Sequence, residues 1–145
     1  MTRVVKIEKT GRPEVLKFET VKLDKPDPEE VLIKHKAIGL NFIDTYHRSG
    51  LYPLKLPSGI GGEGSGIIKE IGKKVKDFSV GDRVAYAGTP LGSYSTERNY
   101  PTKNLVKMPD GVSFEVAATL MTKGLTTYYL LHKTYPVSSN ETILF

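Results

Sequence analysis

Few side chains in this sequence can do chemistry, and their spacing removes most of what they could do. The chain has no cysteine, so it forms no disulfide, no thiolate metal site and no cysteine nucleophile. Its three histidines, His35, His47 and His132, match neither a helical pair four residues apart nor a zinc-finger pattern. Glycines cluster at Gly59, Gly61, Gly62, Gly64 and Gly66, which raises the question of a phosphate-cradling loop. A dinucleotide fingerprint needs glycine at relative positions one, three and six. Counted from Gly62 the sixth place is Ile67, and counted from Gly64 it is Lys69, so both registers fail. A Walker loop fails too, because Ile67 and not lysine follows Gly66. The cluster is expected to serve a tight backbone path, with no cofactor fingerprint inside it. Tyrosine is the other enrichment, with eight tyrosines and no tryptophan. Tyr46 and Tyr52 flank a helix end and a proline-rich loop, where phenols are often open to a ligand. A phenol of ordinary pKa near 10 stays protonated at neutral pH and can donate a hydrogen bond to a carbonyl oxygen.

The elements that must position these groups follow from periodicity. Arg3 to Glu8 alternates as a strand, and Val15, Leu16 and Phe18 to Val21 read as a second beyond the turn Gly11-Arg12-Pro13. In Glu30 to Ile38, Val31, Ile33, His35 and Ala37 share one face. Asn41 caps a short helix through Arg48, and Gly50 sits where that helix ends. Gly66 to Ile71, Asp82 to Tyr86, Tyr94 to Tyr100 and Leu105 to Met108 resume strand character. From Ser113 the period turns helical, with Phe114, Ala117, Ala118 and Met121 on one stripe. Gly124 is expected to interrupt it before a second helical stretch, Leu125 to His132, and Thr142 to Phe145 reads as the start of a strand that is cut off.

The 145 residues, 39% hydrophobic and 26% charged with a mean hydropathy of -0.26, are those of an ordinary globular chain. Disorder, collagen-like repeat and coiled coil are poor readings. No apolar run approaches a membrane span, and the start lacks the apolar core of a secretory signal. A cytoplasmic location without membrane contact is expected. The net charge of +5 is spread among acidic residues, as on a solvated surface and unlike a nucleic-acid footprint.

Four stretches, in order, carry a family resemblance: KAIGLNFIDTYHRSGLYP, LPSGIGGEGSGIIKEIG, VGDRVAYA with a later LGSYS, and SFEVAATLMTKGLTTYYLLHKTY. They resemble the zeta-crystallin-like quinone oxidoreductases of the medium-chain dehydrogenase/reductase superfamily, from Arg3 to Phe145. The resemblance implies a mainly β fold with helices (α+β), a GroES-like partly open β-barrel followed by linking helices and the first strand of a truncated Rossmann domain. Residues 1–112 would be the catalytic domain, and 113–145 the linking helices and the start of the NADPH-binding Rossmann domain. The superfamily's zinc enzymes carry a cysteine ligand where this chain has Asn41 and a histidine where it has Gly62, so no zinc is expected.

By the same resemblance, Phe42, Ile43, Asp44, Thr45 and Tyr46 approach the nicotinamide half of NADPH, and Thr126 and Tyr129 contact the cofactor from the domain interface. Asn41 and Tyr52 line the acceptor pocket. Asn41, Tyr46 and Tyr52 are the expected donors that assist reduction of a quinone or enone. The implied parent is a homodimeric, zinc-independent NADPH:quinone oxidoreductase, and this chain alone is expected to be inactive. The alternatives are a GroES-like binding or assembly module, or the AU-rich RNA binding of some zeta-crystallin relatives.

Overall fold

A computed structural model describes residues 1–144 of the chain. β1 (Thr2–Ile7) pairs antiparallel with β2 (Lys17–Val21), and its other edge takes the two-residue β4 (Ser58–Gly59). Pro13–Val15 forms a single 3-10 turn between β1 and β2, so Val15 and Leu16 fall outside the expected strand. Pro13 fixes its own φ and has no N–H for a ladder, which favours the turn. The larger sheet has the order β7-β3-β5-β6-β8, all antiparallel. Its members are β3 (Glu30–Gly39), β5 (Glu63–Ile71), β6 (Arg83–Ala87), β7 (Glu97–Pro101) and β8 (Leu105–Lys107).

The expected strand from Tyr94 begins only at Glu97, because residues 94–96 bridge the two sheets. Val5 N–H donates to Tyr94 O at 2.8 Å, Thr96 N–H to Arg3 O at 2.9 Å, and His35 N–H to Thr96 O at 3.0 Å. This connection joins the sheets into the GroES-like barrel. Its interior is the alternate face of β3 and its neighbours: Val31, Ile33, Ile68, Val84, Tyr86, Tyr100 and Leu105. Each large side chain fully withdrawn from water there contributes about 1.5–3 kcal/mol.

One polar knot lies within that core. His35 Nε2 is 2.7 Å from the Tyr86 hydroxyl and Nδ1 is 2.7 Å from Ser95 O. The pairing requires the Nδ1–H tautomer, donating to Ser95 and accepting from Tyr86. Arg98 lies over the rings of Tyr86 and Tyr100 at 5.4 and 4.7 Å and donates to Pro90 O and Leu91 O. Burial pushes Tyr86 up to about 12, against the opposing pull of Arg98.

α1 (Phe42–Ser49) leaves the end of β3, and α2 (Phe114–Tyr129) packs Ala117 on Ala85 and Met108 with Phe114 and Met121 beside them. Ser113 caps α2 by accepting Val116 N–H at 3.2 Å. Contrary to expectation, α2 runs unbroken through Gly124 and passes into a π-helical turn, Leu130–Thr134. One glycine costs a helix only about 1 kcal/mol relative to alanine, too little by itself to end a helix capped at Ser113 and packed on the barrel through Ala117. Residues 142–144 form no strand, and Phe145 lies outside the described residues. Beyond Gly124 the helix is open: Leu125, Tyr128 and Tyr129 are all more than half exposed.

Candidate active site

The junction of β3 and α1 is built from opposed hydrogen bonds. Asn41 occupies the N-cap position of α1, and its N–H donates to Asp44 Oδ2 at 3.0 Å, so the Asp44 carboxylate satisfies the helix start. At the other end Gly50, with φ of 89°, closes the helix by donating to Tyr46 O at 3.1 Å. Asp44 is buried, and it also accepts the Tyr94 hydroxyl at 2.9 Å. Burial, and then this hydrogen bond and the carboxylate charge, raise the Tyr94 pKa well above the ordinary phenol range. The carboxylate of Asp44 therefore faces inward, while its helix neighbours Phe42 and Ile43 face solvent.

The side chain of Asn41 reaches away from its own helix. Its Nδ2 donates to Glu63 Oε2 at 2.7 Å, and its Oδ1 accepts from Lys123 Nζ at 2.8 Å. Glu63 is completely buried, accepts Thr122 N–H through Oε1 at 2.7 Å, and has Lys123 Nζ 3.7 Å from Oε2. The brace thus joins the end of β3, the start of β5 and the middle of α2. Gly39 makes it fit, because a Cβ at that place would overlap Ala118 O and the Glu63 carboxylate.

Next to the brace, aromatic rings form a continuous edge. Phe42 and Tyr46 meet edge-on with centroids 5.3 Å apart, Tyr46 and Tyr52 at 5.2 Å, and Tyr52 and His47 at 6.1 Å. Tyr52 is held on α1 by its N–H donating to Tyr46 O at 3.3 Å, and it is 46% exposed, so its phenol is reachable from solvent. A separate groove of about 400 Å³ is lined by Val4, Val5, Phe18, Ile38, Leu40 and Tyr94 among others, and by none of these four rings.

The structure brings Asn41, Tyr46 and Tyr52 to the two ends of one short helix. Thr45 Oγ1 bonds Phe42 O within that helix at 2.7 Å. Thr126 is exposed on α2, one turn beyond Thr122, whose carbonyl accepts its hydroxyl at 2.7 Å. Tyr129 is exposed on the last turn of the same helix. Sequence reasoning missed Lys123, Thr122 and Tyr94 altogether. Glu63 carried one usable signal, a lone carboxylate inside a glycine-rich run that enters a buried strand.

The glycine run needs a correction. A third register, Gly59, Gly61 and Gly64, does carry the dinucleotide spacing. Its surroundings disqualify it, since it runs from β4 into β5 and supplies no helix N-terminus for a phosphate. Gly61 has φ of 90°, and a Cβ there would strike Ser93 and Tyr94. Tight backbone packing therefore explains the glycine. Among the described residues no three His, Asp or Glu side chains gather as a metal site, and no helix is long and apolar enough to cross a membrane.

The model of the alcohol dehydrogenase GroES-like domain matches residues 27–110, over half of the chain, and the chain belongs to that family. Within it the similarity is to quinone oxidoreductases. The quinone oxidoreductase of Pseudomonas aeruginosa is 51% identical over 146 residues, covering 100% of this chain and 45% of that protein. The crystal structure of Escherichia coli quinone oxidoreductase complexed with NADPH superposes with a TM-score of 0.92 at 46% identity, over 97% of this chain and 43% of that one. A 2-haloacrylate reductase from a Burkholderia species is 41% identical over 99% of this chain and 45% of its own length. The chain spans about 45% of the length of these curated relatives.

Proposed function

We propose that this chain is the catalytic domain of a zinc-independent, NADPH-dependent reductase of quinones, residues 1–112 forming that domain and 113–145 leading into the nucleotide-binding one. The observation that carries the reading is the Asn41 site: an amide clamped between two charged partners, beside a tyrosine edge, in a chain aligned along its whole length with quinone oxidoreductases. The described residues suit one end of NADPH. The exposed apolar Phe42 and Ile43 would offer a face for the nicotinamide, Thr126 and the exposed Tyr129 of α2 would add cofactor contacts, and the glycine run offers no phosphate site. Bound there, NADPH supplies the hydride.

This chain's own groups would do the rest. Quinone reduction adds a hydride and one proton to give the hydroquinone, so negative charge develops on the acceptor oxygen. Tyr52, and with it Tyr46, would donate hydrogen bonds to that oxygen in the role a metal plays elsewhere, and Asn41 would offer its remaining amide hydrogen. The aromatic edge would hold a flat ring parallel to the nicotinamide and exclude water. A second acceptor class, activated alkenes such as enones, is favoured by the similarity to a 2-haloacrylate reductase. The parent is further read as a cytoplasmic homodimer.

The test is NADPH oxidation by the protein expressed from its complete reading frame, with 1,4-naphthoquinone and an enone as acceptors. Quinone-dependent oxidation supports the reading, enone-only oxidation moves it to the second class, and acceptor-independent or absent oxidation overturns it.

A further inference from the structure

The brace at the foot of α1 is larger than the helix requires. Asp44 already satisfies the helix start, yet Asn41 is gripped from two further elements, by Glu63 of β5 and Lys123 of α2. The two grips have opposite chemical sense. If the Asn41 amide turned over, its NH₂ would face the Lys123 ammonium and its oxygen would face the Glu63 carboxylate, replacing two attractive contacts by two repulsive ones. The amide orientation is thus fixed by charge. Asn41 is buried, and of its two Nδ2 hydrogens one is taken by Glu63, which leaves the other outside the brace.

Lys123 is itself well placed for this task. Its Nζ donates to Leu40 O at 3.2 Å as well as to Asn41 Oδ1, and lies 3.7 Å from Glu63 Oε2. Those contacts hold the ammonium on Leu40, just beyond β3, and on the cap of α1, although the side chain is 53% exposed. Its neighbour Thr122 anchors the same carboxylate, and Thr126 follows one helical turn later. A lysine needed only to neutralise Glu63 would have no reason to direct its shorter contact, 2.8 Å against 3.7 Å, at the neutral amide.

We propose that Lys123 is a positioning residue: acting through Asn41, with Glu63 as the opposing anchor, it aims the remaining Asn41 amide hydrogen at the acceptor oxygen and ties that donor to the α2 turn bearing Thr126. The inference rests on the reading of Asn41 as a donor in the acceptor pocket. Hydrogen bonding of the ammonium to Oδ1 also polarises the amide and strengthens its free N–H.

The experiment compares Lys123→Met, which keeps the stem and loses every donor, with Lys123→Arg, which keeps charge and donors, in the protein from the complete reading frame. With naphthoquinone as acceptor, Lys123→Met should lower kcat about tenfold or more while the KM for NADPH moves less than about threefold, and Lys123→Arg should recover most of the loss. A kcat for Lys123→Met within about twofold of the unaltered protein, or equal losses in both variants, would overturn the proposal. Lys123→Leu, which also loses every donor, replaces Lys123→Met if the latter does not fold. A second readout is independent of turnover. In nitrogen-15 spectra the two Asn41 side-chain protons should exchange slowly in the unaltered protein and about tenfold faster or more in Lys123→Met. If no quinone is reduced by any form, the functional reading fails, and the amide spectrum still decides whether Lys123 orients Asn41. An Asn41 signal unchanged by the substitution removes the positioning role whatever the activity.

Discussion

Replacing His35 by asparagine should flatten the acid limb of this fold's stability. The unaltered imidazole is held neutral: burial, and then repulsion from Arg98, outweigh the favourable Ser95 acceptor and lower its pKa from 6.5 to about 4. In the unfolded chain the same group takes up its proton near 6.5. Between these values the unfolded state binds more protons, so stability rises with pH across the window and is lost as pH falls through it. The interval is worth about 3 kcal/mol, fully present above pH 6.5 and gone below pH 4. Asparagine can keep the donation to Ser95 O but abandons the Tyr86 hydroxyl, and leaving that buried group unpaired costs about 1–3 kcal/mol at every pH. Urea unfolding of both forms at pH 7.5, 6.5, 5.5 and 4.5 measures the difference. The variant should be less stable at pH 7.5, and the gap should close or reverse toward pH 4.5 as only the unaltered protein loses its histidine contribution. Parallel curves over the whole range would refute the argument, because the other acid-titrating groups are common to both proteins.

Three further outcomes are expected. Tyr52→Phe in the complete protein should lower kcat/KM for quinone about tenfold or more, the loss of one donor to the acceptor oxygen, and unchanged kinetics would reduce Tyr52 to packing. The 145-residue chain alone should bind NADPH no better than about millimolar by calorimetric titration, since its described residues offer no phosphate-binding helix N-terminus; micromolar binding would contradict this. Gly39→Ala should destabilise the fold by about 3 kcal/mol or more in denaturant, because the new methyl overlaps main chain at Ala118 and the anchored Glu63 carboxylate.

Local patterns in the sequence carried much of the architecture. The alternation of Val31 and Ile33 marks the inner face of β3, and Asn41 and Gly50 bracket α1 within a residue. Misreadings came where a local rule met a tertiary one. Gly124 stays helical because the helix continues on both sides, and residues 94–96 look like strand but serve as the tie between two sheets. β4 is two residues long and exists only through its pairing with Lys6 and Ile7, which no local pattern announces. The glycine spacing at Gly59, Gly61 and Gly64 passes a motif test, and the strand that follows voids it. The stripe of Phe114, Ala117 and Met121 is packed on the barrel, and the open face lies further along α2. Of the site, the α1 tyrosines were legible from their loop setting and the family resemblance. The brace was not, because Asn41, Glu63 and Lys123 are far apart in sequence and only the packing of α2 on β5 makes them neighbours.

The proposed function is hydride transfer from NADPH to a quinone, assisted by hydrogen bonds from Asn41, Tyr46 and Tyr52 and by no metal. Anaerobic turnover of the complete protein after exhaustive chelation and dialysis tests it most directly, with NADPH consumed, hydroquinone formed and bound zinc measured on one sample. The account predicts one hydroquinone per NADPH, an undiminished rate, and zinc far below one per chain. Activity that vanishes on chelation and returns with stoichiometric zinc would contradict it.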